Sequence, residues 1–303
     1  MVSYLKLELT EIEKRVNLLF ENLKKCSLCG WECNINRYNR KSHCRSGINL
    51  KISSYGSHFG EENIISGKRG SGTIFFTNCS LKCVYCQNYD ISQLEKGYEI
   101  SIEKLSDIMM ELQYQECHNI NLVTPTHFLP QILKSILISI KKGLKIPFVY
   151  NCGGYENVET LKKIEGIIDI YMPDAKYGDN EKGEKYSGIP DYWDKCKKTL
   201  IEMKRQVGDI ILSDEKVAVK GLLIRHLVLP EDISSTEKVL KFIKTELGEN
   251  TWISLLSQYH PEYKAYLYSE INRRITSDEF NRAIEITQKL GFKNVIYQGY
   301  IRI

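Results

Sequence analysis

Three cysteines in one short segment have the spacing of a metal-binding loop. Cys79, Cys83 and Cys86 form a C-x-x-x-C-x-x-C pattern directly after a β-rich run, and thiolates are the natural ligands of iron–sulfur clusters. A cubane cluster has four irons but this loop supplies three sulfurs, which leaves one iron for a ligand from outside the chain. The alternatives are a zinc site completed by a distant histidine and three unrelated core cysteines. The preceding strand and the aromatic residue before the last cysteine favour the cluster.

Four further cysteines form a second candidate site nearer the N-terminus. Cys26, Cys29, Cys33 and Cys44 are separated by two, three and ten residues. Four thiols can close a tetrahedral zinc site or hold an auxiliary iron–sulfur cluster, and the irregular gaps do not choose between them. Free thiols and redox-active pairs are the remaining alternatives. We expect a structural metal here, which would fasten this short, core-poor segment to the rest of the fold.

The composition is that of an ordinary globular protein. Of its 303 residues, 42% are hydrophobic and 26% are charged, which is enough to bury a large core. The formal charge of +4 comes without the dense basic block and aromatic platform that nucleic acid needs. Apolar stretches are too short to cross a bilayer, and Glu8, Glu11 and Glu13 occupy the place of a signal peptide's apolar region. We therefore expect a cytoplasmic protein that binds neither nucleic acid nor a membrane.

Apolar β-rich runs and helical segments alternate along most of the chain. Strands are predicted at residues 73–76, 120–124, 146–150, 167–172, 221–229, 252–256 and 295–297. Helices are predicted at residues 9–25, 101–116, 129–142, 156–164, 190–206, 234–247 and 277–290. This alternation implies parallel strands with right-handed crossovers, as in a partial or complete (β/α) barrel, and a doubly wound sheet is the competing architecture. We expect residues 1–70 to form a helix and a cysteine-rich metal-binding extension, and residues 71–303 to form the barrel.

The motifs taken together resemble the radical S-adenosylmethionine (SAM) superfamily. Within it, the chain is most similar to proteins related to pyruvate formate-lyase activating enzyme, in a subgroup with extra N-terminal cysteines. The resemblance covers nearly the whole chain, and only the cysteine triad is diagnostic of chemistry. The motifs that carry it are Cys26-Ser27-Leu28-Cys29 with Cys33, His58-Phe59-Gly60-Glu61-Glu62, Gly70-Ser71-Gly72-Thr73-Ile74-Phe75-Phe76, the triad continuing into Gln87-Asn88, Thr124-Pro125-Thr126-His127, Asn151-Cys152-Gly153-Gly154-Tyr155, Asp174-Ala175-Lys176-Tyr177 and Arg225-His226-Leu227-Val228-Leu229-Pro230.

The resemblance implies a [4Fe-4S] cluster at the triad, with the amino and carboxylate groups of SAM on its free iron. Typical activating enzymes have Gly-Gly-Glu after the second barrel strand to hold the amino group, whereas this chain has Thr124-Pro125-Thr126-His127, whose polar side chains are expected to replace it by hydrogen bonding. Asp174 and Lys176 are expected near the sulfonium, with a solvent-exposed ion pair as the alternative. The complete set of expected cofactor contacts is Tyr85, Asn88, Thr124, Thr126, His127, Asn151, Asp174, Lys176, Arg225 and His226.

Residues at the ends of strands are further candidates, because the active face lies there in either architecture. Cys152 follows the third predicted strand, where a thiol can donate a hydrogen atom to a substrate radical, although a small buried residue beside a glycine turn is the simpler interpretation. Arg225 and His226 lie inside the fifth predicted strand and face opposite sides. One of them should point into the barrel, where a buried charge needs an anionic partner such as a carboxylate.

The predicted function is that of an enzyme that cleaves SAM reductively at the cluster and abstracts a hydrogen atom from its substrate. By resemblance, the favoured substrate is a glycine backbone in a partner glycyl-radical enzyme, and the electron comes from a low-potential donor of the flavodoxin or ferredoxin type. Modification of another peptide or of a small molecule, with Cys152 as hydrogen donor, is the second hypothesis. A non-catalytic metal-binding or electron-transfer protein is the third.

Overall fold

A computed structural model describes residues 2–298 of the chain. Its strands are β1 Lys51–His58, β2 Ser71–Phe76, β3 Tyr98–Glu99, β4 Ile120–Val123, β5 Phe148–Cys152, β6 Ile170–Pro173, β7 Ile211–Leu212, β8 Ala218–Leu227, β9 Trp252–Leu256 and β10 Val295–Gln298. Its α-helices are α1 Leu9–Asn22, α2 Asn63–Ser66, α3 Tyr89–Ser92, α4 Ile102–Tyr114, α5 Leu129–Lys141, α6 Val158–Lys163, α7 Asn180–Ser187, α8 Tyr192–Val207, α9 Thr236–Phe242 and α10 Ser277–Lys289.

Ten strands form one mostly parallel sheet. Its order is β10-β9-β8-β6-β5-β4-β2-β1-β3, with β7 paired to β8. Every pair from β2 across to β10 on this path is parallel. The parallel strands follow each other in chain order, whereas a doubly wound sheet reverses its order at a switch point. This confirms the predicted α/β fold and identifies it as a partial (β/α) barrel.

The antiparallel edge was not predicted from the sequence. β1 runs antiparallel to β2, with Tyr55 opposite Ile74 and His58 opposite Ser71. The predicted boundary after residue 70 therefore divides this sheet, because residues 51–58 of the expected extension pair with the first barrel strand. This pairing reverses the chain through residues 59–70, and local periodicity does not reveal it. Residues 299–303 of the predicted barrel domain lie outside the described residues.

The short helix α2 fills the inside of the barrel. Its fully buried Ile65 belongs to an apolar cluster with Val149 of β5 and Met172 of β6. The Asn119 side chain, just before β4, donates a hydrogen bond to the Ile65 carbonyl at 2.8 Å. β1 ends opposite the start of β2, so α2 enters from the amino ends of the parallel strands and leaves their carboxyl ends open.

The helices that the sequence predicts cover the outer face of the sheet. Helix α1 packs against α5, and α5 packs against α4. A capping box opens α10, with the Thr276 hydroxyl accepting from the Glu279 N–H and the Glu279 carboxylate accepting from the Thr276 N–H. Helix α7 was not predicted, since its charged sequence and Gly183 give a weak apolar pattern. None of the helices within residues 2–298 combines the length and apolar character that a membrane crossing needs.

The N-terminal cysteine segment docks on the outer side of the barrel next to β5. Cys29 and Glu156 form an isolated antiparallel bridge, and the Gly30 N–H donates to the Tyr155 carbonyl at 3.1 Å. A β-carbon at position 30 would lie 2.7 Å from the Tyr155 ring, so only glycine allows this approach. The carboxylate of Glu156 is buried in this layer, where the hydroxyls of Thr126 and Tyr150 each donate to it at 3.0 Å.

Replacing Ile65 by alanine tests the placement of α2 inside the barrel. We expect the free energy of unfolding to fall by about 2–5 kcal/mol, since a fully buried isoleucine side chain leaves a cavity that its neighbours fill only in part. Denaturant unfolding of the reduced protein measures this. The matched control is Ile211→Ala, at an isoleucine that is 55% exposed, and equal losses for the two variants would contradict the placement of α2 inside the barrel.

Glu156 makes stability depend on pH. Burial raises the pKa of Glu156 from 4.5 to about 7, so the folded chain holds a proton that the unfolded chain has released. This bound proton contributes fully to the free energy of unfolding below about pH 4.5, and the contribution is lost as the pH rises through about 7. The free energy of unfolding falls by about 3 kcal/mol in total.

In the Glu156→Gln variant, the melting temperature should therefore fall less between about pH 5 and pH 8 than in the unaltered protein, because the amide cannot ionise. Glu159→Gln is the control, since its carboxylate is 71% exposed. A Glu156→Gln variant with the same pH dependence as the unaltered protein would show that Glu156 is charged throughout this range.

Candidate functional site

One cavity of about 390 Å³ lies at the carboxyl ends of the parallel strands. Loop and strand-end residues converge there, as they do in other folds with parallel strands. The predicted site residues that line it are Cys79, Cys83, Tyr85, Cys86, Asn88, Thr124, Asn151, Cys152, Asp174, Lys176 and Arg225. The three cysteines of the C-x-x-x-C-x-x-C loop thus share one cavity with polar residues from β4, β5, β6 and β8.

Main-chain hydrogen bonds hold the cysteine loop against α7. The Lys82 N–H donates to the Ser187 carbonyl at 3.0 Å, and the Val84 N–H donates to the Tyr186 carbonyl at 2.9 Å. On the other side of the loop, the Val84 carbonyl accepts from the Lys264 N–H at 2.8 Å. The loop is therefore fixed by two elements that follow it in the chain by about a hundred residues or more.

Each sulfur of the triad has a hydrogen-bonding neighbour. The Leu81 N–H donates to the Cys79 sulfur at 3.4 Å. The Cys83 sulfur lies 2.9 Å from the Ser187 hydroxyl, and the Cys86 sulfur lies 3.1 Å from the Ser92 hydroxyl. Hydrogen bonds to the sulfurs of a cluster are one of the means by which proteins set its reduction potential.

Burial and mutual repulsion oppose ionisation of these thiols. Burial raises the pKa of Cys79 to about 12 and that of Cys83 to about 11. The thiols of Cys79 and Cys83 each also interact unfavourably with a neighbouring triad thiolate, which places the sulfurs near one another. Because only the thiolate binds metal, a bound cation must supply the compensating charge.

Lys176 supplies part of that positive charge. Its ammonium group donates to the Asp174 carboxylate at 2.6 Å, and it lowers the pKa of both Cys79 and Cys83. Burial opposes the charge on Lys176, but Asp174 and Cys83 outweigh it and raise the pKa of Lys176. The side chains of Asp174 and Lys176 are 27% and 18% exposed, so the pair is a partly buried cavity feature and not an exposed ion pair.

Thr124 occupies the cavity in a strained backbone conformation. Its φ is +58°, which is rare for a β-branched residue and marks a functional constraint when it occurs in a cleft. The Thr124 N–H donates to the Asn151 carbonyl at 2.8 Å, which joins the ends of β4 and β5. Of the residues in the place of Gly-Gly-Glu, Thr124 is the one that lines the cavity.

Arg225 points into the barrel, and carboxylates surround it as expected. Its guanidinium donates from Nε to Glu62 Oε1 at 2.9 Å and from Nη2 to Glu62 Oε2 at 2.5 Å, and it also contacts Glu61. Burial opposes the charge on Glu62, yet Arg225 keeps the pKa of Glu62 below its usual value. Glu61 lines the cavity. Residues 59–70 between β1 and β2, here called the plug segment, therefore supply a charged group to the floor of the cavity.

Three predicted cofactor contacts lie away from the cavity. Thr126 donates to Glu156 behind β5. The His127 ring is bonded to the Thr77 carbonyl at 2.7 Å, and burial lowers its pKa to about 3. His226 faces the outer layer, where it contacts the Ala175 carbonyl and the Thr236 hydroxyl. The chain turns into a 3-10 helix after Thr124, and strand alternation sends His226 to the side opposite Arg225.

Cys152 borders the cavity, but its thiol belongs to the outer layer. The predicted third strand ended at residue 150, whereas β5 runs to Cys152. Cys152 therefore shares the outward face of β5 with Phe148 and Tyr150, and Asn151 faces the cavity. The thiol interacts with the buried carboxyl of Glu156, as the simpler interpretation of a buried residue predicts.

Several residues of the site escaped the sequence interpretation. His58, Glu61, Phe75, Gln87 and Gln93 line the cavity. The His58-Phe59-Gly60-Glu61-Glu62 motif was a signal for two of them, since acidic residues beside glycine in a predicted loop are candidates for pairing with a buried arginine. The hydroxyls of Ser92 and Ser187 gave no local signal, because their role depends on contacts with the triad sulfurs.

The N-terminal cysteines also lie close together. Cys26, Cys29 and Cys44 are buried and Cys33 is partly exposed. A hydrogen bond from Cys26 lowers the pKa of Cys33 to about 5, and the pKa of Cys29 is raised, first by burial and then by Cys44. Cys26 therefore lies beside Cys33, and Cys29 lies near Cys44.

The donor types at the triad are those of an iron–sulfur cluster. Within residues 2–298, no group of three or more His, Cys, Asp and Glu side chains is arranged to hold one metal ion. An iron–sulfur cluster distributes its protein ligands over separate irons, so it does not need such a point of convergence. At the triad, the soft thiolate donor set, the open cavity and the sulfur hydrogen bonds fit a cluster of this kind.

Comparisons with known proteins identify the family of this chain. The Radical SAM superfamily model matches residues 73–243, which include the triad, Asp174, Lys176 and Arg225. The protein MJ0674 of Methanocaldococcus jannaschii is 34% identical over 310 residues, covering 98% of this chain and 83% of that protein. Pyruvate formate-lyase-activating enzyme of Clostridium pasteurianum is 24% identical over 183 residues, covering 59% of this chain and 70% of the enzyme.

The fold also resembles that of solved structures. The FeFe-hydrogenase maturase HydG from Carboxydothermus hydrogenoformans matches with a TM-score of 0.52 and 12% identity, covering 96% of this chain and 67% of the maturase. Other solved structures that resemble the chain are longer, and it spans 60% of the length of two of them. The family model matches more than half of the chain, and the resemblance inferred from the cysteine motif is confirmed. The chain belongs to the radical SAM superfamily.

Proposed function

We propose that this chain cleaves SAM reductively at a [4Fe-4S] cluster held by Cys79, Cys83 and Cys86. The observation that carries the proposal is the arrangement of these three thiols around the same cavity as Lys176 and Asp174. A cluster bound there supplies one electron to the sulfonium of SAM, which releases methionine and a 5′-deoxyadenosyl radical for hydrogen abstraction. The electron comes from a low-potential donor of the flavodoxin or ferredoxin type.

The polar cavity residues have distinct roles in this proposal. Lys176 offsets the charge of the thiolates, and Asp174 holds its ammonium group in place. Thr124 and Asn151 present hydroxyl and amide groups to the polar part of SAM from the adjoining ends of β4 and β5. The carboxylate of Asp174 lies on the same side as the triad and is the candidate partner of the positive sulfonium.

Apolar residues close the rest of the cavity. Phe75, Val123, Leu227 and Leu256 line it from four different strands. Such a lining keeps water from a reactive carbon radical and directs it to the bound substrate. Arg225 and Glu61 are the charged exceptions on the floor, and their mutual pairing leaves the floor without an unpaired cation.

We propose a protein or peptide as the substrate, with a glycine backbone of a glycyl-radical enzyme as the favoured case. Support for it is the similarity to pyruvate formate-lyase-activating enzyme over 59% of this chain. The 5′-deoxyadenosyl radical would take a hydrogen atom from the glycine α-carbon, giving 5′-deoxyadenosine and a protein radical. The position of Cys152 does not favour the alternative in which its thiol donates a hydrogen atom, because the thiol contacts Glu156 in the outer layer.

Replacing a triad cysteine tests the cluster assignment. In Cys83→Ala, we expect anaerobic reconstitution to leave less iron at this site and SAM cleavage to fall to background, because a ligand is lost. Iron analysis and chromatography of 5′-deoxyadenosine measure the two effects. Cys117→Ala is the matched control, since this buried thiol is not among the residues that line the cavity. Full SAM cleavage by Cys83→Ala would refute the assignment.

A glycyl-radical enzyme from the same organism tests the substrate. When the reconstituted protein, SAM and a reductant are mixed with it, we expect an organic radical signal in electron paramagnetic resonance, centred on the enzyme's glycine. The signal should be absent when that glycine is replaced by alanine and absent with Cys83→Ala. Formation of 5′-deoxyadenosine without a protein radical would instead point to another peptide or to a small molecule as substrate.

A further inference from the structure

The N-terminal cysteine segment touches the triad loop directly. Trp31 lies between Cys29 and Cys33 in the sequence, and its indole N–H donates to the Ser80 carbonyl at 2.7 Å. Ser80 is the residue next to Cys79. A single side chain thus spans the space between the two sets of thiols.

The face of the Trp31 ring is stacked on the ring of His43. The two rings are 4.3 Å apart with an interplanar angle of 2°, and His43 precedes Cys44 in the sequence. Trp31 also meets the edge of Tyr155 at 6.0 Å between ring centroids. His43 is exposed and Trp31 is partly buried, so this stack extends from the surface to the triad loop.

A second short connection runs through Arg45, which follows Cys44. Its guanidinium donates to the Gln93 carbonyl at 2.8 Å and also contacts the Ser92 carbonyl. The hydroxyl of the same Ser92 lies 3.1 Å from the Cys86 sulfur. Cys79 is therefore connected to the N-terminal segment through Ser80 and Trp31, and Cys86 is connected to it through Ser92 and Arg45.

The N-terminal segment is also attached to the barrel at other points. Its attachment to the barrel is already provided by the Cys29–Glu156 bridge and the Gly30–Tyr155 hydrogen bond. Trp31, two residues from both Cys29 and Cys33, instead reaches the triad loop at Ser80. Arg45, which follows Cys44, reaches the end of α3 at Ser92 and Gln93. An aromatic stack and hydrogen bonds between two thiol sets provide a route for electrons, for which a zinc ion has no use because it has no redox chemistry.

We propose that Cys26, Cys29, Cys33 and Cys44 hold an iron–sulfur cluster that passes electrons through Trp31 to the cluster at Cys79, Cys83 and Cys86. This rests on the proposed function, since it requires the triad cluster as acceptor. In the transfer, a low-potential one-electron donor protein reduces the N-terminal cluster. That cluster is then reoxidised as the triad cluster gains the electron, and no covalent bond is formed or broken.

The metal content is the first test. In the protein with Cys26, Cys29, Cys33 and Cys44 all replaced by alanine, iron should fall to about four atoms per chain, which is the content of a single cubane. The unaltered protein should contain more iron than this variant and no zinc. Zinc at the N-terminal site of protein purified without oxygen, with no loss of iron in the variant, would overturn the proposal.

The route of the electron is tested with two reductants. The four-alanine variant should still cleave SAM when dithionite reduces the triad cluster, but should lose cleavage when a reduced ferredoxin is the donor. Equal cleavage with ferredoxin by the variant and the unaltered protein would overturn the relay. Loss of cleavage in Cys83→Ala with either reductant tests the proposed function separately, so the two failures can be told apart.

Trp31→Phe separates a relay from a structural support. Phenylalanine keeps a ring at this position but removes the indole N–H that bonds Ser80. We expect both clusters to be retained, the reduction potential of the triad cluster to be unchanged, and its rate of reduction by ferredoxin to fall in stopped-flow absorbance. The control is Trp193→Phe, at a buried tryptophan that packs on Phe242. An unchanged rate, or a shifted potential that accounts for a slower rate, would contradict a role for Trp31 in transfer.

Discussion

The cost of burying thiolates is the constraint on which the rest of this structure depends. Metal binding requires ionised sulfur, but burial raises the pKa of Cys79 to about 12 and that of Cys83 to about 11. Several groups near the sulfurs stabilise the thiolate form, namely Lys176, the Leu81 N–H and two serine hydroxyls. These groups come from β6 and its following segment, from the loop itself, and from α3 and α7. The ligand loop can therefore work only after distant elements have assembled around it.

The same principle governs the floor of the cavity. A guanidinium inside a barrel is stable only with anionic partners, and Arg225 obtains two from the plug segment between β1 and β2. That segment also brings Ile65 into the apolar interior. Charge pairing and apolar packing thus place the same short stretch of chain. The barrel is closed at one end by this stretch, and its other end is left free for chemistry.

The sequence was most informative where local rules apply. Spacing identified the triad, and the rule for strand ends placed Asp174, Lys176 and Asn151 at the cavity. Alternation predicted that either Arg225 or His226 would need a carboxylate, but it could not identify Glu61 and Glu62, which lie more than 160 residues away. Thr126 and His127 could not be placed, because the positive φ of Thr124 redirects the chain after β4. For Cys152, a shift of two residues in the end of the strand decided which side its thiol faces.

Different sides of the triad loop make different contacts. Its sulfurs face the cavity, where SAM and a substrate would bind. The backbone on its far sides is held by α7, by Lys264 and by Trp31. An electron that arrived through the cavity would have to pass the space occupied by the substrate, which must exclude water to protect a radical. Under the proposed function, contact between the loop and the N-terminal segment would let an electron reach a cluster at the triad from the side away from the cavity, so that the cavity could stay closed.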